Sequence, residues 1–144
     1  MTDSFLDALA ATLLPGDVYW PSGESLDLAS TIVSIAALVA GHTETLQRLD
    51  EMLGERFTNS SPPQRHDALS AVEREHPAVF AVARLVVFDA YYRHPTALAV
   101  LANRCGYRAG PPQPAGFPRD RFDPSALDTV RTMERRWPSD NTAR

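Results

Sequence analysis

Four histidines and a single cysteine carry most of the reactive chemistry that this chain could perform, and their spacing says which chemistry that would be. Glu73-Arg74-Glu75-His76 contains a Glu-x-x-His, which sets two ligands one turn apart on a helical face. Di-iron bundles use that spacing, but they need two copies and two further acidic ligands from other helices. This chain has one copy, at a predicted helix end beside Pro77, where solvated terminal charges are the better explanation. His66-Asp67 could orient an imidazole for acid-base work. No Gly-x-Ser-x-Gly nucleophile motif accompanies it, and Cys105 lies beside a predicted helix C-terminus, whereas thiol activation calls for the N-terminal end. His94 precedes Pro95, so its imidazole either satisfies backbone groups at a helix start or touches a partner near that partner's substrate channel. A stand-alone metal protein or enzyme would have to be built from His66, Glu73, His76 and His94.

Composition removes several other classes. All fourteen basic side chains are Arg, which excludes Schiff-base catalysis and lysine-dependent phosphate loops. The same bias, with abundant Ala, fits a GC-rich bacterial genome. One cysteine permits neither an intrachain disulfide nor a thiolate cluster. No glycine-rich nucleotide fingerprint is present, so no cofactor and no metal are assigned to this chain. Net charge is −4, split between −7 over residues 1–60 and +3 over residues 61–144. Those scattered arginines form no dense basic stripe, which argues against nucleic acid as a partner. The longest apolar run, Leu28–Ala40, is thirteen residues, short of the roughly 20 that cross a bilayer. The acidic start of the chain does not resemble a signal peptide, so the expected location is cytoplasmic.

The elements that must position these residues are helices. Ser4 is the expected cap of a first helix carrying Leu6, Leu9, Leu13 and Leu14, stopped by Pro15-Gly16-Asp17. A short loop holding Tyr19 and Trp20 follows. A second helix is predicted from Ser22 or Ser25 to Gly41, apolar nearly all round from Ile32 to Val39 and so in need of cover on most faces. A third runs from Thr43 to Gly54 with Leu46, Leu49 and Leu53 on one stripe. Pro62-Pro63 after Ser61 opens a fourth, ending near His76 because Pro77 disfavours helix in the residue before it. The fifth, Ala78–Tyr92, is the expected centre, with apolar stripes Val79-Val82-Val86-Ala90, Ala81-Leu85-Phe88-Tyr92 and Phe80-Val87-Tyr91. A sixth spans Pro95 to about Arg104, and a last helix begins at Asp123-Pro124 with Leu127, Val130 and Met133 inward. No stretch alternates with period two. The expectation is one irregular all-α domain over residues 1–144, with six to seven helices and a frayed tail at 138–144. Its two very apolar helices either bury each other or leave a patch for another subunit.

Between the sixth and last helices, residues 110–122 form a Pro/Gly-rich arm that can join neither a helix nor a central strand. Its rigidity lowers the ordering cost of docking onto a neighbour. Tyr91, Tyr92, Tyr107, Phe117 and Trp137 flank it in sequence, and Arg108, Pro111 and Pro112 lie within or beside it. Tyr, Trp and Arg are typical interface anchors, so these residues with His94 make the candidate partner interface.

At several of these places the chain resembles the small-subunit family named after gluconate 2-dehydrogenase subunit 3. The resemblance is carried, in order, by Leu13-Leu14-Pro15-Gly16-Asp17, Trp20-Pro21-Ser22, Tyr91-Tyr92-Arg93-His94-Pro95, Gly106-Tyr107-Arg108 and Gly110-Pro111-Pro112-Gln113-Pro114. It implies a non-catalytic accessory subunit bound to a large catalytic partner. That partner would be a flavin dehydrogenase of the glucose-methanol-choline class that holds FAD and oxidises sugars or other alcohols. Many members of the family begin with a twin-arginine export signal. The only adjacent arginines here are Arg135-Arg136, so the resemblance combined with this departure implies a cytoplasmic complex.

Overall fold

The helix predicted to be central is central. α5 (Pro77–Arg93) packs against α1 (Asp3–Leu13), α2 (Ala29–Ala36), α3 (His42–Asn59), α4 (Pro62–Glu75) and α6 (Pro95–Cys105). The computed structural model describes residues 1–107, which fall in the first of two units into which the chain divides at Ala109–Gly110. The described residues are all-helical, with six α-helices, one 3-10 turn (Gly23–Leu26) and no strand among them. The arm at 110–122, the helix expected from Asp123 and the tail at 138–144 lie outside the described residues, as do Arg108, Pro111, Pro112, Phe117 and Trp137.

α5 buries Val79, Ala83, Val86, Val87, Ala90 and Tyr91, a stripe at helical spacing that meets Leu9, Ile32, Leu46, Leu49, Leu69 and Val72 in one core. Only that side is covered. On the opposite side Leu85 is 59% exposed and Tyr92 43% exposed. α2 behaves similarly, since Ile32, Ile35 and Ala36 are buried while Val33 is exposed, and Leu38 and Val39 just beyond its end are exposed too. The expectation that the second helix is covered on most faces is therefore corrected: it packs on α5 along one stripe.

Helix boundaries follow local chemistry, with three corrections. Thr2 caps α1 in place of Ser4, its hydroxyl accepting the Phe5 N–H at 3.3 Å. That cap starts the helix early enough to seat Phe5 and Leu6 in the core. The single helix expected from Ser22 or Ser25 to Gly41 is divided. Asp27 adopts the left-handed conformation (φ 48°, ψ 61°), which separates the 3-10 turn from α2 and lets Leu26 and Leu28 on either side both be buried. Gly54 breaks α3, with φ 63° and ψ −175°, but the chain resumes helix to Asn59. The extra turn brings Phe57 back onto Phe5, ring centroids 5.9 Å apart.

Elsewhere the predicted boundaries hold. The Ser61 N–H donates to the Gln64 side-chain oxygen at 3.0 Å, and Pro62 opens α4. α4 ends at Glu75 and Pro77 opens α5, while Gly106 closes α6 with φ 69°.

Gly23 is where α1 and the 3-10 turn come closest. A Cβ there would lie 2.5 Å from the Ala10 carbonyl oxygen, which belongs to rigid helix backbone. Gly23→Ala is expected to push α1 off the turn and lower the thermal midpoint by about 5 °C or more. Ser25→Ala, at an exposed position of the same turn, is expected to shift it by less than about 2 °C in the same calorimetric comparison.

Candidate functional site

The chain leaves α1 at Leu14 and reaches the 3-10 turn through a loop, residues 14–22, that is closed by its own hydrogen bonds. The Gly23 N–H donates to the Leu14 carbonyl at 2.8 Å, which pins the two ends together. Inside the loop the Asp17 carboxylate accepts the N–H groups of Tyr19 at 2.7 Å and Trp20 at 2.8 Å, while the Asp17 N–H returns to the Trp20 carbonyl at 2.9 Å. This is the Asx-type turn that Asp favours. Gly16, at φ 75°, makes the preceding reversal, and a Cβ there would sit 2.7 Å from the Ser22 nitrogen.

Tyr91 fixes this loop to the end of α5. Its hydroxyl donates to the Pro21 carbonyl at 2.8 Å, across seventy positions of sequence, and the residue is only 3% exposed. Aromatic contacts extend the join. Tyr92 stands edge-on to Tyr91 at 5.2 Å and to Trp20 at 6.3 Å. From α6, the Arg104 guanidinium lies 3.9 Å from the centre of the Tyr19 ring. Between loop and helix lies a cleft of about 260 Å³ lined by Leu14, Asp17, Trp20, Pro21 and Tyr92 among others.

The electrostatics follow the geometry. The Tyr19 and Trp20 N–H groups, with a smaller contribution from Arg104, hold the Asp17 carboxyl below the usual carboxylate range. Burial first, then Tyr92 and Asp17, pushes the Tyr91 phenol up from its ordinary value. No histidine or thiol lines the cleft, so it offers neither a thiol nucleophile nor an imidazole base. What lies around it is a set of aromatic rings, with Tyr19 62% exposed and Tyr92 43% exposed, together with the Asp17 carboxylate and the Arg104 guanidinium. That combination suits binding.

The residues expected at a partner interface are sorted by this arrangement. Tyr92 and Tyr107 are exposed, as an interface requires. Tyr91 is not available to a partner, because its ring is buried and its hydroxyl is spent on Pro21. It is a positioning residue. His94 caps α6, its Nδ1 accepting the Thr96 N–H at 3.3 Å, which is the helix-start role open to it from sequence. Asp17, Tyr19, Trp20 and Arg104 were not among the predicted interface residues. The readable signal for the first three was the Pro-Gly-Asp turn followed, after Val18, by two aromatics.

The alternative set does not assemble. His66 and Glu73 are exposed on α4, His76 joins α4 to α5, and His94 is engaged at α6. Among the described residues no three His, Cys, Asp or Glu side chains gather as metal ligands would. The Cys105 thiol donates to the Leu101 carbonyl at 3.0 Å at the end of α6. No helix among the described residues is long and apolar enough to cross a membrane.

Compared with known proteins, the chain matches no family model, no curated protein and no solved structure.

Two titrations test the loop. Tyr91→Phe leaves the Pro21 carbonyl without its partner, an expected loss of ~1 kcal/mol in denaturant unfolding. Because the folded Tyr91 pKa is raised, its contribution is intact below the unfolded value of about 10 and is lost as pH rises further. The Phe variant is expected to lack that alkaline component. The Asp17 shift has the opposite sign, so its contribution is present above the unfolded value of about 3.9 and disappears as pH falls through the lower folded value. With Trp137 replaced by Phe, Trp20 is the only indole, and its emission is expected to report loop release in acid. Asp17→Ala is expected to show the released spectrum already at neutral pH.

Proposed function

We propose that this chain is the non-catalytic accessory subunit of a flavin-dependent sugar or alcohol dehydrogenase, docking through the end of the molecule where loop 14–22 meets α5 and α6. The observation that carries the reading is spatial. The segments on which the family resemblance rests, Leu13–Ser22 and Tyr91–Pro95, lie far apart in sequence and are joined at this end by the Tyr91–Pro21 hydrogen bond. Tyr19, Tyr92, Arg104 and Tyr107 then face outward, the residue types that anchor protein interfaces. FAD and the hydride chemistry belong, in this reading, to the large partner, and the complex is cytoplasmic. The accessory chain contributes a rigid aromatic surface whose loop is already ordered by Asp17, so little conformational freedom is lost on docking.

Co-expression with a large flavin dehydrogenase encoded in the same genome tests the proposal. A stable complex with a higher soluble, flavin-loaded yield is expected. A large subunit that is equally active and soluble alone would defeat the reading. Within the complex, Tyr19→Ala and the double replacement Tyr107→Ala with Arg108→Ala are each expected to weaken association by about 10-fold or more. Circular dichroism of both variants is expected to match the parent, since Tyr19 and Tyr107 are exposed.

A further inference from the structure

The cleft between loop 14–22 and α5 has walls that specify the charge of what it can hold. Three of the rings that line it are crossed. Trp20 and Tyr92 stand at 82° with centroids 6.3 Å apart, and Tyr91 and Tyr92 at 87° with centroids 5.2 Å apart. Crossed rings build a corner in which the face of one lies beside the edge of another, and a ring's face is the negative side of its quadrupole. Leu13, Leu14 and Pro15 add apolar wall.

The one charged group in this lining is the Asp17 carboxylate. Its Oδ1 accepts both the Tyr19 and the Trp20 N–H, at 2.7 and 2.8 Å, and among the described residues no hydrogen bond reaches Oδ2. The same two donors keep the group ionised. Arg104 is close enough to act on Asp17, but its guanidinium stacks on Tyr19 and does not line the cleft. A corner of π-faces holding one fixed negative charge attracts a cation.

Elementary chemistry narrows the cation further. A primary ammonium brings three N–H donors, and a cleft with one carboxylate and mostly apolar walls leaves part of that demand unmet. A divalent metal ion calls for a larger set of oxygen ligands, and no second carboxylate lines the cleft. A fully methylated ammonium has no donor to satisfy and carries its charge on methyl groups that pack against rings. Size agrees. At about 260 Å³ the cleft falls below the roughly 300–1,000 Å³ of pockets for drug-sized ligands, so it suits a small headgroup. We propose that this cleft binds a quaternary ammonium group, held by the Trp20 and Tyr92 rings and paired with Asp17. The group can be a free small cation or the trimethylated side chain of a polypeptide, and the inference does not rest on the accessory-subunit reading.

A proton NMR titration of the full chain with tetramethylammonium chloride, at constant ionic strength, tests it. Saturable binding is expected, with the ligand methyl signal moved upfield by the rings. The neutral analogue tert-butanol is expected to bind at least about tenfold more weakly. Asp17→Asn keeps the side-chain oxygen that the Tyr19 and Trp20 N–H groups need, so the loop stays closed while affinity for the cation falls about tenfold. Tyr92→Leu keeps an apolar side chain without the ring and is expected to cost about as much, with circular dichroism unchanged because Tyr92 is exposed. Arg104→Gln is expected to tighten binding by removing a like charge. A trimethyllysine peptide that binds more tightly than tetramethylammonium identifies a polypeptide source, and one that binds no better identifies a free cation. Equal binding of tert-butanol, indifference to Asp17→Asn, or the absence of saturable binding would each overturn the inference.

Discussion

A single buried phenol joins loop 14–22 to the central helix. The Tyr91 hydroxyl donates to the Pro21 carbonyl at 2.8 Å, and almost everything at that end of the molecule is referenced to that bond. A carbonyl taken out of water needs a donor, and a buried tyrosine needs an acceptor, so each satisfies the other's requirement. With the bond in place Trp20 meets Tyr92 and Tyr19 comes under Arg104. Without it the loop would still close on Asp17, but only ring packing would hold it on α5.

The central helix divides its labour by face. One stripe of α5 supplies the core against five other helices, and the opposite stripe remains apolar at the surface. A small domain seldom leaves a large apolar row such as Leu85 and Tyr92 uncovered without use. Here the two faces even share a junction, because Tyr91 ends the buried side and Tyr92 the exposed one. Adjacent residues on a helix point about 100° apart, so neighbouring tyrosines serve opposite purposes by geometry alone.

How much was readable from sequence depended on whether the information was local. Ser61-Pro62, Pro77, Pro95 and Gly106 mark helix ends because proline and glycine restrict the backbone by themselves, and these ends lie where expected. The all-α architecture and the central place of α5 were equally legible from apolar spacing. What spacing does not encode is which apolar face finds a neighbour, and so the cover expected for the second helix was wrong. Asp27 is a tertiary matter as well, since nothing beside it demands a left-handed residue; Leu26 and Leu28 reaching the core together do. Tyr91 illustrates the same limit at the site. Its residue type suits an interface, and only the position of Pro21 reveals that its ring faces inward.

His76 both ends α4 and begins α5, and His94 both ends α5 and begins α6. Three successive helices are thus joined by single residues, with no slack chain between them. Closing contacts within α4–α6 costs little loop entropy, because the segments that meet are already close along the chain. The Tyr91–Pro21 bond, by contrast, must draw together two places seventy positions apart. The connections therefore divide the contacts into two kinds: those within α4–α6, which close at little entropic cost, and the docking of the aromatic loop, which carries the larger loop-closure cost.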